Sequence, residues 1–240
     1  MLFRSHFQFL RNILCKEGYR VEILKTEGQQ IIDEGLKNVH NDTCYPALLV
    51  IGQMIDALKS GKYDTAHIAL AITQTGGGCR ASNYIHLLRK ALVQAGFEHV
   101  PVISVNFSQL EKNSGFKLTP KMLLRLLYAF LYGDMLMWIK NQCKPYELEK
   151  GSTDALVTTW IDTITAQFDS LSYMRMKHNY QEMLHDFAAL PRSQKPKIQV
   201  GIVGEIYMKY APLGNNELED FLIREGCEPV VSGVLDFGLY

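Results

Sequence analysis

The chain has 240 residues, 47% hydrophobic and 21% charged, enough apolar material for one large globular domain or two small ones. Lysine plus arginine and aspartate plus glutamate both number 25, so the net charge is zero and no overall footprint for nucleic acid or an anionic membrane is present. Five cysteines, widely scattered, exclude a disulfide framework and point to free thiols in a reducing, cytoplasmic setting.

The first apolar stretch, MLFRSHFQFLRNILCKEGY, is interrupted by Arg4, His6, Arg11 and Lys16 and has no small-residue cleavage site after it. It reads as an amphipathic helix ending at Gly18 rather than as a signal peptide. The β-branched run Arg20 to Leu24 follows as an expected strand, and Gln29 to Leu36 as a helix. Tyr45 to Ser60 has Leu48, Leu49, Ile51, Ile55 and Leu58 near helical spacing, stopping at Gly61. HIALAIT (67–73) and VPVISV (100–105) are continuous apolar runs of the kind buried in parallel sheets, separated by a helix over Ala81 to Gln94. Strands and helices alternating in this way predict right-handed βαβ units, hence an α/β fold with an open, parallel, Rossmann-like sheet over residues 1–107.

From Thr119-Pro120, an N-terminal cap signal, the character becomes helical as far as Leu190, with breaks at Lys144-Pro145 and Gly151-Ser152. Arg125, Gly133 and Asp134 make Met122 to Trp138 a poor membrane span and a better bundle helix. Met122, Leu126, Phe130, Leu136, Tyr173, Met174 and Met176 are read as core rather than as a cofactor pocket. After the linker PRSQKP, the pattern KIQVGIVGEIY, then a helix over Glu217 to Glu225, then EPVVSGVL, opens a second α/β unit. The expected organisation is therefore 1–107, a helical segment 108–195, and an abbreviated βαβ start at 196–240.

TQTGGGCR leaves one strand and enters a helix, the position where open parallel sheets hold ligands. Gly76, Gly77 and Gly78 permit close backbone approach to an anion at the helix start. Neither G-x-x-x-x-G-K-[ST] nor G-x-G-x-x-G occurs there, so the glycines alone do not specify phosphate. Cys79 adds chemistry, because a thiolate at a helix N-terminus next to Arg80 is stabilised by both. Cys44, in NDTCYPALL, also stands before a helix, 35 residues earlier and one βα step away. Two thiolates converging beside glycine N–H groups suit an iron–sulfur cluster; zinc is less favoured without a C-x-x-C pair. Two structural cysteines, or a nucleophilic Cys79 with a base among His40, His67, His86 and His99, are the other readings. Glu205 and Asn215-Asn216 mark another loop after a strand, read as helix capping.

GLKNVHNDTCYPALLVIGQ, LAITQTGGGCRASNYIHLLRKAL, VPVISVN and IVGEIYMKYAPLGNNELEDFL together resemble the activase-related family that forms the C-terminal part of large 2-hydroxyglutaryl-CoA dehydratase activator proteins. That family is similar to the cluster-bearing subunits of 2-hydroxyacyl-CoA dehydratases, in which two Rossmann-like domains and three cysteines hold a [4Fe-4S] cluster. The resemblance implies that Cys44 and Cys79 are metal ligands, that Gly76 to Gly78 offer N–H groups to the cluster, and that Arg80 offsets its charge. It also implies one-electron transfer at low potential, or radical dehydration of a CoA thioester. Acyl-CoA or another small anionic ligand, an actin-like ATPase activator domain and a second copy of the chain are the partners it implies; nucleic acid and membrane are not among them. The phosphate-binding motifs of the ATPase half do not occur, and Cys227, on a helix-to-strand turn, does not match the third ligand. With two ligands a cluster would be labile, or absent from the isolated chain. The alternative is a non-catalytic binding or scaffold module that uses the same crevice for an anion or a partner ATPase.

Overall fold

The computed structural model describes residues 4–40, 42–73, 84–105 and 118–239. In chain order they form α1 (Arg4–Lys16), α2 (Gln29–Asn38), α3 (Tyr45–Lys59), β1 (Leu70–Thr73), α4 (Tyr84–Ala95), β2 (Val102–Val105), α5 (Pro120–Cys143), α6 (Ser152–Gln167), α7 (Met176–Ala188), β3 (Gln199–Ile202), α8 (Ile206–Tyr210), α9 (Pro212–Asn215), α10 (Leu218–Arg224), β4 (Glu228–Val231) and α11 (Val234–Leu239). They divide into two compact units, Leu24–Lys117 on one hand and Met1–Ile23 with Leu118–Tyr240 on the other.

In the smaller unit, β1 and β2 pair in parallel, Leu70 opposite Val102 and Thr73 opposite Val105, with α4 as the crossover. Ile51, Ile55, Leu88, Ala91 and Leu92 bury against Leu70, Ile72 and Val102. Helices α2 and α3 meet backbone to backbone because both carry glycine at the crossing. A β-carbon on Gly52 would lie 2.1 Å from the Ile31 carbonyl oxygen, and one on Gly35 would lie 2.5 Å from that of Leu48. The Gln53 amide then donates to the Thr26 carbonyl at 2.7 Å, fixing the chain that leads into α2.

The larger unit is built on α5. Thr119 Oγ1 accepts from the Met122 amide at 3.1 Å, and the helix runs until Lys144-Pro145 turns it. By length and composition the stretch Pro120–Tyr146 is apolar enough to cross a membrane. In the fold, Ala129, Tyr132, Leu136, Ile139 and Cys143 of that stretch are buried with Phe9 and Ile13 of α1, Ile161 and Ile164 of α6, and Met183 and Phe187 of α7. The polar hydroxyl of Tyr132 is satisfied inside this core, donating to Tyr173 O at 2.6 Å and accepting from Asn179 Nδ2 at 2.7 Å. Tyr173 is itself buried core, Met176 packs against the core, and Met174 is exposed. Strands β3 and β4 pair in parallel with Gln199 opposite Glu228, and Ile202, Tyr210 and Val231 form a small core of their own.

The α/β class holds, with short parallel strands, but each sheet has two strands among the described residues rather than forming one open sheet. The expected strand at Arg20–Leu24 is not one. β-branched residues favour a pleated surface, yet a strand exists only with a ladder partner, and no described strand flanks this stretch. Its Val21 carbonyl instead accepts from Arg11 Nε at 3.2 Å. Helix α1, the expected first amphipathic helix, spans Arg4–Lys16 and buries Phe9 and Ile13 in the helical core of the larger unit.

Candidate functional site

Cys44 is the N-cap of α3. Its backbone is extended (φ −63°, ψ 147°), its carbonyl accepts from Leu48 N at 3.2 Å, and Pro46 occupies the first turn. This is the conformation that the sequence NDTCYP favours, because an extended cap residue and an early proline both start helices. The Cys44 side chain makes no capping bond to the α3 amides. It is a free, half-buried thiol beside the positive end of a 15-residue helix.

Gly76, Gly77, Gly78, Cys79 and Arg80 lie outside the described residues. The elements on either side of that segment are described: β1 ends at Thr73 and α4 begins at Tyr84. The Tyr84 hydroxyl lies 3.7 Å from the Cys44 sulfur, so the start of α4 meets the start of α3. Tyr84 follows Cys79 by five residues and closes the string TGGGCRASNY. Nothing in that string by itself gives Tyr84 a role.

The other described cysteines are differently placed. Cys15 is exposed at the end of α1. Cys143 is buried, and burial pushes its thiol up, with Arg192 at 3.6 Å opposing the shift. Cys227 is half-buried in the turn between α10 and β4, at the amino end of its strand, as its sequence position predicts. His40, His67, His86 and His99 are all exposed. His67 bonds Asp64 at 2.7 Å, and this holds the Asp64 carboxyl below its ordinary range; His99 meets Thr65 at 3.3 Å. Among the described residues no group of three or more histidine, cysteine or acidic side chains gathers as a metal site. Cys44 fits one sulfur position of a cluster by its exposure, its freedom and its helix-start position, and the described residues supply no other.

The carboxyl edge of β3 and β4 presents more polar groups, and nearly all have partners. Glu205 caps α8, accepting from the Tyr207 and Met208 amides at 2.8 and 3.2 Å. Asn215 Oδ1 accepts from Leu218 N at 3.2 Å, the capping expected of it. Lys209 donates to Ser232 Oγ, and the Tyr210 hydroxyl lies 2.9 and 2.8 Å from the Ser232 and Gly233 carbonyls. Asp134, from α5, accepts from Val234 N at 2.7 Å, from Leu235 N at 3.0 Å, and pairs with buried His6 Nε2 at 2.9 Å. Sequence reasoning missed this His6–Asp134 pair. Its signal is the pair of glycines that admit it: a β-carbon at Gly133 would lie 2.4 Å from His6, and one at Gly233 would lie 2.8 Å from Asp134 Oδ2. A cleft of about 50 Å³ adjoins, lined by residues that include His6, Lys140, Tyr210, Glu217 and Asp220.

The chain matches no family model, no curated protein and no solved structure.

Proposed function

We propose that the smaller unit is a Rossmann-like module that binds a [4Fe-4S] cluster through Cys44 and Cys79 and serves one-electron chemistry on a CoA thioester, in the manner of 2-hydroxyacyl-CoA dehydratases and their activators. The observation that carries this reading is the meeting of Cys44, a free thiol at a helix start, with Tyr84, the residue that ends the Cys79-bearing motif. A parallel β1–β2 pair joined through that motif is the local topology in which ligands sit past the strands' carboxyl ends. Gly76 to Gly78 would supply backbone donors and Arg80 a compensating charge, the means by which a protein tunes such a group. When bound, the cluster supplies a low-potential electron to the thioester; this chain's part is to hold the sulfur ligands and exclude water. The setting is a reducing cytoplasm, with an actin-like ATPase as the electron-delivering partner.

Metal analysis of anaerobically purified protein tests the reading. Iron and sulfide are expected in the wild type, lost in Cys44→Ala and Cys79→Ala, and retained in Cys15→Ala and Cys143→Ala. Equal content in all four variants would sink the assignment.

A further inference from the structure

We infer that Tyr84 is the positioning residue of Cys44, its phenol donating a hydrogen bond to the Cys44 sulfur; the inference rests on the cluster reading above for its functional meaning. Tyr84 Oη and Cys44 Sγ are 3.7 Å apart, within sulfur hydrogen-bond range. Which atom donates follows from the chemistry. A metal-bound thiolate has no proton, so with the cluster in place the phenol is the only donor of the two. Tyr84 opens α4 and Cys44 precedes α3, so this one bond links the starts of the two helices that flank the candidate site. The α3 backbone gives Cys44 no such bond, because its side chain caps nothing. Donation to a ligand sulfur does two things. In the metal-free protein it holds the Cys44 side chain in one orientation at the start of α3. In the cluster-bearing protein it stabilises the more negative, reduced state and so raises the potential.

The test compares wild type with Tyr84→Phe, which keeps the ring and removes only the hydroxyl. In metal-free full chain at neutral pH, iodoacetamide labelling is followed peptide by peptide, with exposed Cys15 as internal reference. The Cys44 rate relative to Cys15 is expected to change about twofold, because the sulfur loses the hydrogen bond that orients it. The melting temperature stays the same, which separates this role from simple packing. An unchanged ratio overturns the inference. In protein reconstituted with iron and sulfide, Tyr84→Phe is expected to carry equal iron at a lower midpoint potential, and an equal potential overturns it. Should wild type take up no iron, the cluster reading fails and the labelling arm still decides whether Tyr84 positions the thiol.

Discussion

The two parallel strand pairs have the same local topology and differ in the described groups beside them. Past β3 and β4, Glu205, Asn215, Lys209, Tyr210 and Asp134 bear many polar atoms, and each is bonded to a backbone amide, a backbone carbonyl or a hydroxyl nearby. Beside β1 and β2, Cys44 is a free thiol whose contact is a tyrosine hydroxyl. The described polar groups past β3 and β4 are tied up in structural bonds, whereas the proposed site rests on Cys44 and its Tyr84 contact.

The largest way to test that contrast is at Asp134. Its carboxylate serves two α11 amides and His6, and truncation leaves three donors without their acceptor. Asp134→Ala is expected to destabilise the larger unit by about 3 kcal/mol in denaturant unfolding, with iron content untouched. A loss of iron together with mild destabilisation would reverse the roles of the two edges.

A smaller effect concerns acid. Lys144 bridges Asp154 of α6 and Asp220 of α10, each at 3.0 Å, and Lys140 joins Asp154 at 2.7 Å. Burial works to raise the Asp154 carboxyl, but bonds and charge from Lys140 and Lys144 outweigh it, leaving it below its ordinary range. A carboxyl depressed in the folded state contributes stability above the unfolded value, about pH 4, and that contribution disappears as pH falls through the folded one. Asp154→Asn should therefore flatten part of the stability decline below about pH 4. Because the Asp154 side chain is 45% exposed, solvent screening keeps the difference small. Identical acid curves for the variant and wild type would show that the bridge contributes nothing.

Much of this architecture was legible in the chain because its signals are local. Thr119-Pro120 marks a helix start, Lys144-Pro145 and Gly151-Ser152 mark breaks, and α5 begins at the first and ends at the second while α6 begins at the third. Cys44 at the head of α3 was legible for the same reason, since an N-cap is decided by a few neighbouring residues. What failed depended on distant partners. Arg20–Leu24 has strand composition but no described ladder to join. The His6–Asp134 pair joins residues 128 apart, and no spacing rule connects them. Tyr84 lay within a quoted motif, but its meeting with Cys44 needs three-dimensional placement of α3 and α4.

The most direct test of the account is thiol protection. Full-length protein is labelled with iodoacetamide before and after anaerobic reconstitution with iron and sulfide, and each cysteine peptide is quantified. Protection of Cys44 and Cys79 together, with Cys15 and Cys227 labelling as before, is the predicted result. Labelling of Cys44 and Cys79 at unchanged rates after reconstitution would contradict it.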